Sequence, residues 1–345
     1  MQDRIEPRKI ATIGSIIFFV GYALSGMMHW FRNPVWLIFA FGLIVGTACG
    51  LTYACVAPTA RKWYPDRPGF AVSISVMGFG LSAVVFAPLT PKMIDLWDVN
   101  GTFWVLSLFV GLLSLIGARL IKNPPEDWDP FPNKNYSDTK TVDVKAQLVD
   151  VPPAKFIRMP TFYLLWLALA MVIGGGLTAI GLIPAYGEIE LGLMPAAAAI
   201  AVSVYSLVNG LGRPLVGLLA DRIGSFPLMI IIYIIQAGAF FALPFLATNL
   251  PLLIICAVLL GIGYATTFAL FPVLVADGFG TRYLGINYGL VFSAFGMGAV
   301  TNIIGAGLLD STGSFTPAFL LAGGTSVIGL LLVLILQKKM QADRH

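Results

Sequence analysis

Ten apolar runs, each close to the roughly 20 residues that cross a bilayer as a helix, constrain this chain more than any other feature. They fall at about 10–30, 35–57, 69–91, 102–121, 161–187, 195–220, 226–247, 250–275, 284–309 and 315–337. Backbone in hydrocarbon must pair its own N–H and C=O groups, so such a run becomes a helix or part of a closed barrel. These runs are too long and too continuously apolar for the alternating strands of a barrel. Only 11% of the 345 residues are charged, against about 25% in a soluble domain. The expected fold class is an all-α polytopic membrane protein with a lipid bilayer as its solvent.

The cations fall in alternate loops. Arg4, Arg8 and Lys9 precede the first run; Arg61, Lys62 and Arg67 follow the second; Lys134, Lys140, Lys145, Lys155 and Arg158 lie in the long middle loop. Arg222, Arg282, Lys338, Lys339 and Arg344 continue on the same side, and the opposite loops hold Arg32 and Lys92. By the positive-inside rule both termini and the middle loop are expected in the cytoplasm. The net charge of +4 follows from this alternation and points to no nucleic-acid partner. The first run has the length of a span and lacks a clear small-residue cleavage site, so it does not read as a signal peptide. Cys49, Cys55 and Cys256 sit inside runs and read as small packing residues. The two histidines, His29 and His345, leave no metal cluster, and no cofactor is expected. With no paired carboxylates, no nucleophile–base set in the spans and no P-loop, neither catalysis nor direct ATP use is indicated.

A phrase repeats. Asp3-Arg4-Ile5 recurs as Asp221-Arg222-Ile223, 218 residues on, and the same offset maps Gly78-Phe79-Gly80 onto Gly296-Met297-Gly298. A slightly different offset places Pro58 on Pro272. Two homologous bundles follow: residues 1–121 with four spans, and residues 161–345 with six, joined by a Pro-rich cytoplasmic linker at 122–160. Parallel repeats of this kind are a plan of secondary transporters; a channel or a duplicated scaffold is the alternative. The runs at 161–187 and 195–220 precede the second copy of the phrase and nothing precedes the first, so the chain is expected to begin two helices into its own repeat. The glycines inside spans, among them Gly42, Gly46, Gly50, Gly174-Gly175-Gly176, Gly296 and Gly298, read first as close-packing positions and second as hinges.

The segment from Gly217 to Gly224, GLLADRIG, resembles the loop signature of the major facilitator superfamily. Asp221 is suited to a helix N-terminus or a cation across the bundle, and Arg222 to carbonyls or anions at the rim. Gly217, Asp221, Arg222 and Gly224, with Asp3 and Arg4 from the first copy, are the expected conformational latch; a solvated Asp-Arg turn is the plainer reading. In the first copy Glu6 stands where the second glycine belongs.

Further segments resemble the oxalate/formate antiporter family within that superfamily. They are Ala60-Arg61-Lys62-Trp63-Tyr64-Pro65-Asp66-Arg67-Pro68-Gly69, Asn123-Pro124-Pro125-Glu126-Asp127-Trp128, the span entry from Met159 to Leu167, NGLGRP from Asn209 to Pro214, and GINYG from Gly285 to Gly289. The resemblance implies a two-bundle fold and a monomer in a bacterial or archaeal plasma (inner) membrane. It also implies alternating-access transport of a small carboxylate, with a counter-substrate or a proton as the second partner. Arg213 matches the family arginine that contributes to anion binding. An arginine at membrane depth usually faces a cavity or a partner and can hold a carboxylate by two parallel hydrogen bonds; a structural arginine that snorkels to the rim is the alternative. Phe295 stands where the exchanger that typifies the family has a lysine, and one cation suits a monocarboxylate. Asn287, Tyr288 and Ser293 are candidate hydrogen-bond donors nearby, or packing residues. Tyr53, Tyr264 and Phe268, with Tyr205, are candidate aromatic walls, the first two on helices that resemble the family's central path; core packing is the alternative for each. A function of another class, a non-transporting membrane sensor, scaffold or remnant of a transporter, is the second reading, favoured by the incomplete repeat.

Overall fold

The structure, a computed structural model, describes residues 6–31, 33–64, 67–125, 128 and 150–342, with Ala87 and Pro88 by backbone alone. Asp3, Arg4 and residues 129–149 of the expected linker lie outside the described residues. Ten helical segments are long and apolar enough to cross a membrane, as the run lengths require.

The helices in chain order are α1 (Pro7–Ser25), α2 (Pro34–Trp63), α3 (Pro68–Ser75), α4 (Met77–Leu120) and the short α5 (Pro153–Phe156). There follow α6 (Pro160–Ile189), α7 (Pro195–Ile223), α8 (Ser225–Leu246), α9 (Leu250–Phe279), α10 (Leu284–Phe292), α11 (Ala294–Thr312) and α12 (Thr316–Ala342). Their ends are written in the sequence. Proline opens α1, α2, α3, α6 and α7, where its missing N–H is no loss and its fixed φ suits the first turn. Asn33 and Asn249 cap their helices by accepting bonds from Val35 N (2.9 Å) and Leu252 N (3.1 Å). Pro58 and Pro272, the paired prolines of the repeat, lie inside α2 and α9. Alpha-2 runs past Ala57 to Trp63, beyond the apolar run.

Two spans are interrupted at matching places. The third breaks at Val76, between α3 and α4, where φ is −101° and ψ is 3°. The ninth breaks at Ser293, between α10 and α11. Each break leaves local carbonyls outside the regular helix ladder, open to other partners. Alpha-4 reverses at Asp98, whose φ of 56° is outside the helical region. Asp98 then caps the returning stretch through Gly101 N (2.9 Å), and that stretch packs back along α1, where Ser107 Oγ donates to Phe19 O at 2.7 Å.

Without water between helices, close approach is what binds them, and small residues allow it. A Cβ on Gly174 would meet Thr301 and Gly298 of α11, and one on Gly176 would meet the ring of Tyr264. The triple glycine is thus a packing surface for neighbouring helices. Gly46, Gly50 and Gly296 face open space instead. The two halves also differ in cover. In its most apolar stretch α9 is 67% buried, and its repeat counterpart α2 only 17%. In the second half α6 and α7 pack on α9; among the described residues the first half has no counterparts to them.

Alpha-7 packs across the molecule on α3 and α4, and α10 packs on α2. Residues 150–156 fasten to the end of α9: Val151 N donates to Phe279 O (3.0 Å), and the Phe156 ring sits 4.5 Å from that of Phe279.

Candidate functional site

Alpha-7 carries Asn209 and Arg213 four residues apart, so both project from one face. Arg213 is fully buried. Its Nε donates to Asn209 O (3.2 Å) and its Nη2 to Asn209 Oδ1 (3.2 Å). Its Nη1 crosses between the halves and donates to Val76 O at 2.7 Å. That carbonyl belongs to the break between α3 and α4, where Phe79 N also donates to it at 3.2 Å. The guanidinium carbon lies 4.4 Å from the centre of the Phe268 ring and 5.5 Å from that of Phe79. Ring faces attract a cation, more so without water.

The rings form one continuous cluster fed by several helices. Tyr53 of α2 stacks on Phe292 of α10 at 4.9 Å and meets Phe79 of α4 edge-on at 5.6 Å. On α9, Tyr264 and Phe268 meet at 4.9 Å. Phe295 of α11 touches both Phe268 (6.3 Å) and Phe292 (5.6 Å), and Tyr288 packs on Phe292 at 5.6 Å. The hydroxyls of Tyr53 and Tyr288 approach each other, yet both are buried without a hydrogen bond of regular geometry. That of Tyr205 donates to Gly176 O at 3.1 Å. Arg213, Tyr53, Tyr264, Phe268 and Phe295, singled out in the sequence, are thus brought together.

No aspartate or glutamate is among the buried side chains described, and Arg213 is the only charged side chain there. A buried charge with no counter-charge is costly. Carbonyls and ring faces offset part of that cost. A carboxylate entering the cluster would supply the missing charge, and the two idle phenols could donate to it.

Two expected donors sit elsewhere. Asn287 Nδ2 donates to Val151 O (3.0 Å), towards the linker end, because α10 begins beside that segment. Ser293 Oγ donates to Leu290 O and accepts from Trp166 Nε1 at 3.0 Å, because the helix break turns it towards α6. Sequence reasoning missed Phe79 and Phe292 as walls and Val76 O as a partner of the cation. Phe79 had a signal, since it sits between the repeated glycines; Val76 had none.

The signature segment lies about two turns further along α7. Asp221 Oδ1 accepts from Gly69 N (2.8 Å) and Oδ2 from Phe70 N (3.0 Å). These are the first amides of α3, which no carbonyl of their own helix can reach, at its positive end. Gly217 lies against Gly69 O and Ser73 Oγ, with no room for a Cβ. Gly224 ends α7 with a φ of 93°, and Arg222 is exposed. Arg61 of α2 adds a second tie, with Nη2 2.6 Å from Asp277 Oδ1 of α9. All these ties join the first half to the second at the same end of the molecule.

Comparison with known proteins agrees with this architecture. The sequence profile described as Major Facilitator Superfamily matches residues 1–248 and 180–345. The oxalate:formate antiporter of Oxalobacter formigenes is 28% identical over 98% of this chain and 77% of its own. Monocarboxylate transporter 12 of Mus musculus is 24% identical over 93% of this chain and 70% of its own. Among solved structures, the E. coli fucose:proton symporter FucP superposes with a TM-score of 0.68 at 14% identity, over 97% of this chain and 85% of that one. A bacterial homologue of the iron transporter ferroportin superposes with a TM-score of 0.67 at 15% identity, over 97% and 84%. Ten apolar spans, two bundles tied at the Gly217–Gly224 segment and a profile that matches along the whole length lead to one conclusion: the chain belongs to the Major Facilitator Superfamily, and its work is secondary transport across a membrane rather than catalysis.

Proposed function

We propose that this chain carries a small carboxylate, held at Arg213, by alternating access. The carrying observation is that Arg213 is fully buried with no buried acid near it among the described residues. In a membrane interior such a cation marks a pathway or a partner. Tyr53 and Tyr288 supply two hydroxyls that lack regular partners. The remaining walls, Phe79, Phe268, Phe292 and Phe295, are apolar. One cation with apolar walls suits a monocarboxylate, and the kinship with an oxalate:formate antiporter and a monocarboxylate transporter supports a carboxylate. A counter-substrate or a proton completes the cycle. The cation alternation supports a cytoplasmic position for the Asp221 and Arg61 ties, and in that orientation the ties hold a state closed to the cytoplasm.

The test is uptake of labelled formate, acetate and oxalate into proteoliposomes. Arg213→Gln and Arg213→Lys should each lower uptake by about 10²-fold or more, as expected when a buried charge pair loses its guanidinium. Unchanged uptake by a well-incorporated Arg213→Gln protein would refute the assignment. A second reading, a membrane protein that binds the anion without moving it, is favoured by the thin cover of α2. Anion binding in detergent with no counterflow in liposomes would select it.

A further inference from the structure

Arg213 is both the anion's candidate ligand and a bond between the two halves of the molecule. We infer that the anion and the Val76 carbonyl compete for the same guanidinium edge, so that loading the site releases the innermost tie between the halves. This rests on the proposed binding of a carboxylate at Arg213.

The geometry of the guanidinium carries the argument. It offers a side edge, formed by Nε and Nη2, and an end edge, formed by Nη1 and Nη2. Asn209 occupies the side edge with its carbonyl and its side-chain oxygen, at 3.2 Å each. Both bonds lie within α7 and keep the side chain on its own helix. A carboxylate gripping by two parallel bonds therefore has only the end edge. Val76 O already takes one of the two N–H groups of Nη1, a nitrogen of that edge, at 2.7 Å, the shortest of the three bonds. It comes from the other half of the molecule and from the place where the third span is broken.

The release has a direction. The bonds between the halves run in series from the rim: Arg61 to Asp277, Asp221 to Gly69 and Phe70, then Arg213 to Val76. The first two lie eight residues along α2 and α7 from Tyr53 and Arg213, about 12 Å by helical rise, out of reach of an anion held at Arg213. Only the third responds to the anion. An empty carrier keeps all three. A loaded one keeps two, and its interrupted helix is free to straighten or swing at Val76. Binding energy is thereby coupled to opening through one shared donor, and the coupling must be reciprocal.

Opening can be read at Ser73, which is fully buried beside Gly217. In a full-length protein with Cys49, Cys55 and Cys256 replaced by alanine, Ser73→Cys reports opening by its rate of labelling with a water-soluble thiol reagent. Saturating formate or acetate should raise that rate about tenfold, the scale of one charge-assisted hydrogen bond. Arg213→Gln should label fast with or without anion. A second form leaves every side chain in place: Met77 is replaced by its α-hydroxy-acid analogue, which turns the Val76 carbonyl into a weaker ester acceptor. It should label faster when empty and bind formate more tightly, by about the same factor, as calorimetry would show. Tighter binding is an outcome that mere loosening of the fold does not produce. If formate binds and labelling is unchanged, or the ester form binds it no more tightly, the competition is refuted while the binding site stands. If calorimetry finds no binding of formate, acetate or oxalate, the underlying reading fails and the inference falls with it.

Discussion

Replacing Gly217 by alanine should push the molecule out of the state seen here without touching the anion site. An added Cβ would lie 2.7 Å from the Gly69 carbonyl carbon and closer still to its oxygen and to Ser73 Oγ. Carbon atoms rest about 3.5–4.0 Å apart, and the opposing atoms include backbone, so α7 and α3 must part by about 1 Å. Overpacking of this kind costs about 1–3 kcal/mol. The cost falls on the closed state alone, because the contact joins different halves, and it shifts the population by about 5- to 150-fold. Hydrogen exchange reads the shift directly. The amides of Gly69 and Phe70 are protected by Asp221, and their exchange should speed up by that factor. Gly212→Ala is the control on the same helix. Its Cβ would meet Ala265 Cβ at 3.4 Å and Ile262 at 3.6 Å, which is ordinary contact within one half, and exchange at Gly69 and Phe70 should not change. Equal exchange in Gly217→Ala and the parent protein, or an equal rise in Gly212→Ala, would refute the view that this contact defines the closed state.

Three further outcomes are expected. Tyr53→Phe and Tyr288→Phe should each weaken formate binding by about two- to tenfold with no loss of thermal stability, since neither hydroxyl makes a regular bond to the protein and a hydrogen bond is worth about 0.5–1.5 kcal/mol; a fall in melting temperature with unchanged binding would reverse that assignment. Tyr205→Phe should do the opposite, costing about 0.5–1.5 kcal/mol of stability through its lost bond to Gly176 O, as a denaturation midpoint would show. Phe295→Lys adds a second cation beside Phe268 and Phe292 and should let oxalate compete with formate for uptake; if oxalate competes equally well before and after the change, the single-cation account of selectivity is wrong.

The spans and their ends were legible because both are local properties. An apolar run near 20 residues has one economical conformation in lipid, and a proline at its first turn or a glycine at its last marks the boundary without reference to distant residues. Asp221 was legible for a similar reason: a carboxylate in a repeated turn wants a helix N-terminus, although the turn does not say which one. The fold supplied α3 and named Gly69 and Phe70. Other features had no local signal. Twenty-four phenylalanines are scattered along the chain, and which of them face Arg213 depends on how the helices pack. Asn287 looked like a donor for the site, yet its amide turns to Val151 O, at the linker end of α10. The break at Val76 is invisible in an unbroken apolar run, so the sequence could place an arginine at membrane depth without showing what holds it there. Length and capping belong to single helices and are written in the sequence; burial, which differs widely between the equally apolar α2 and α9, and the partner of a buried cation are set by helix packing, and only the tertiary structure decides them.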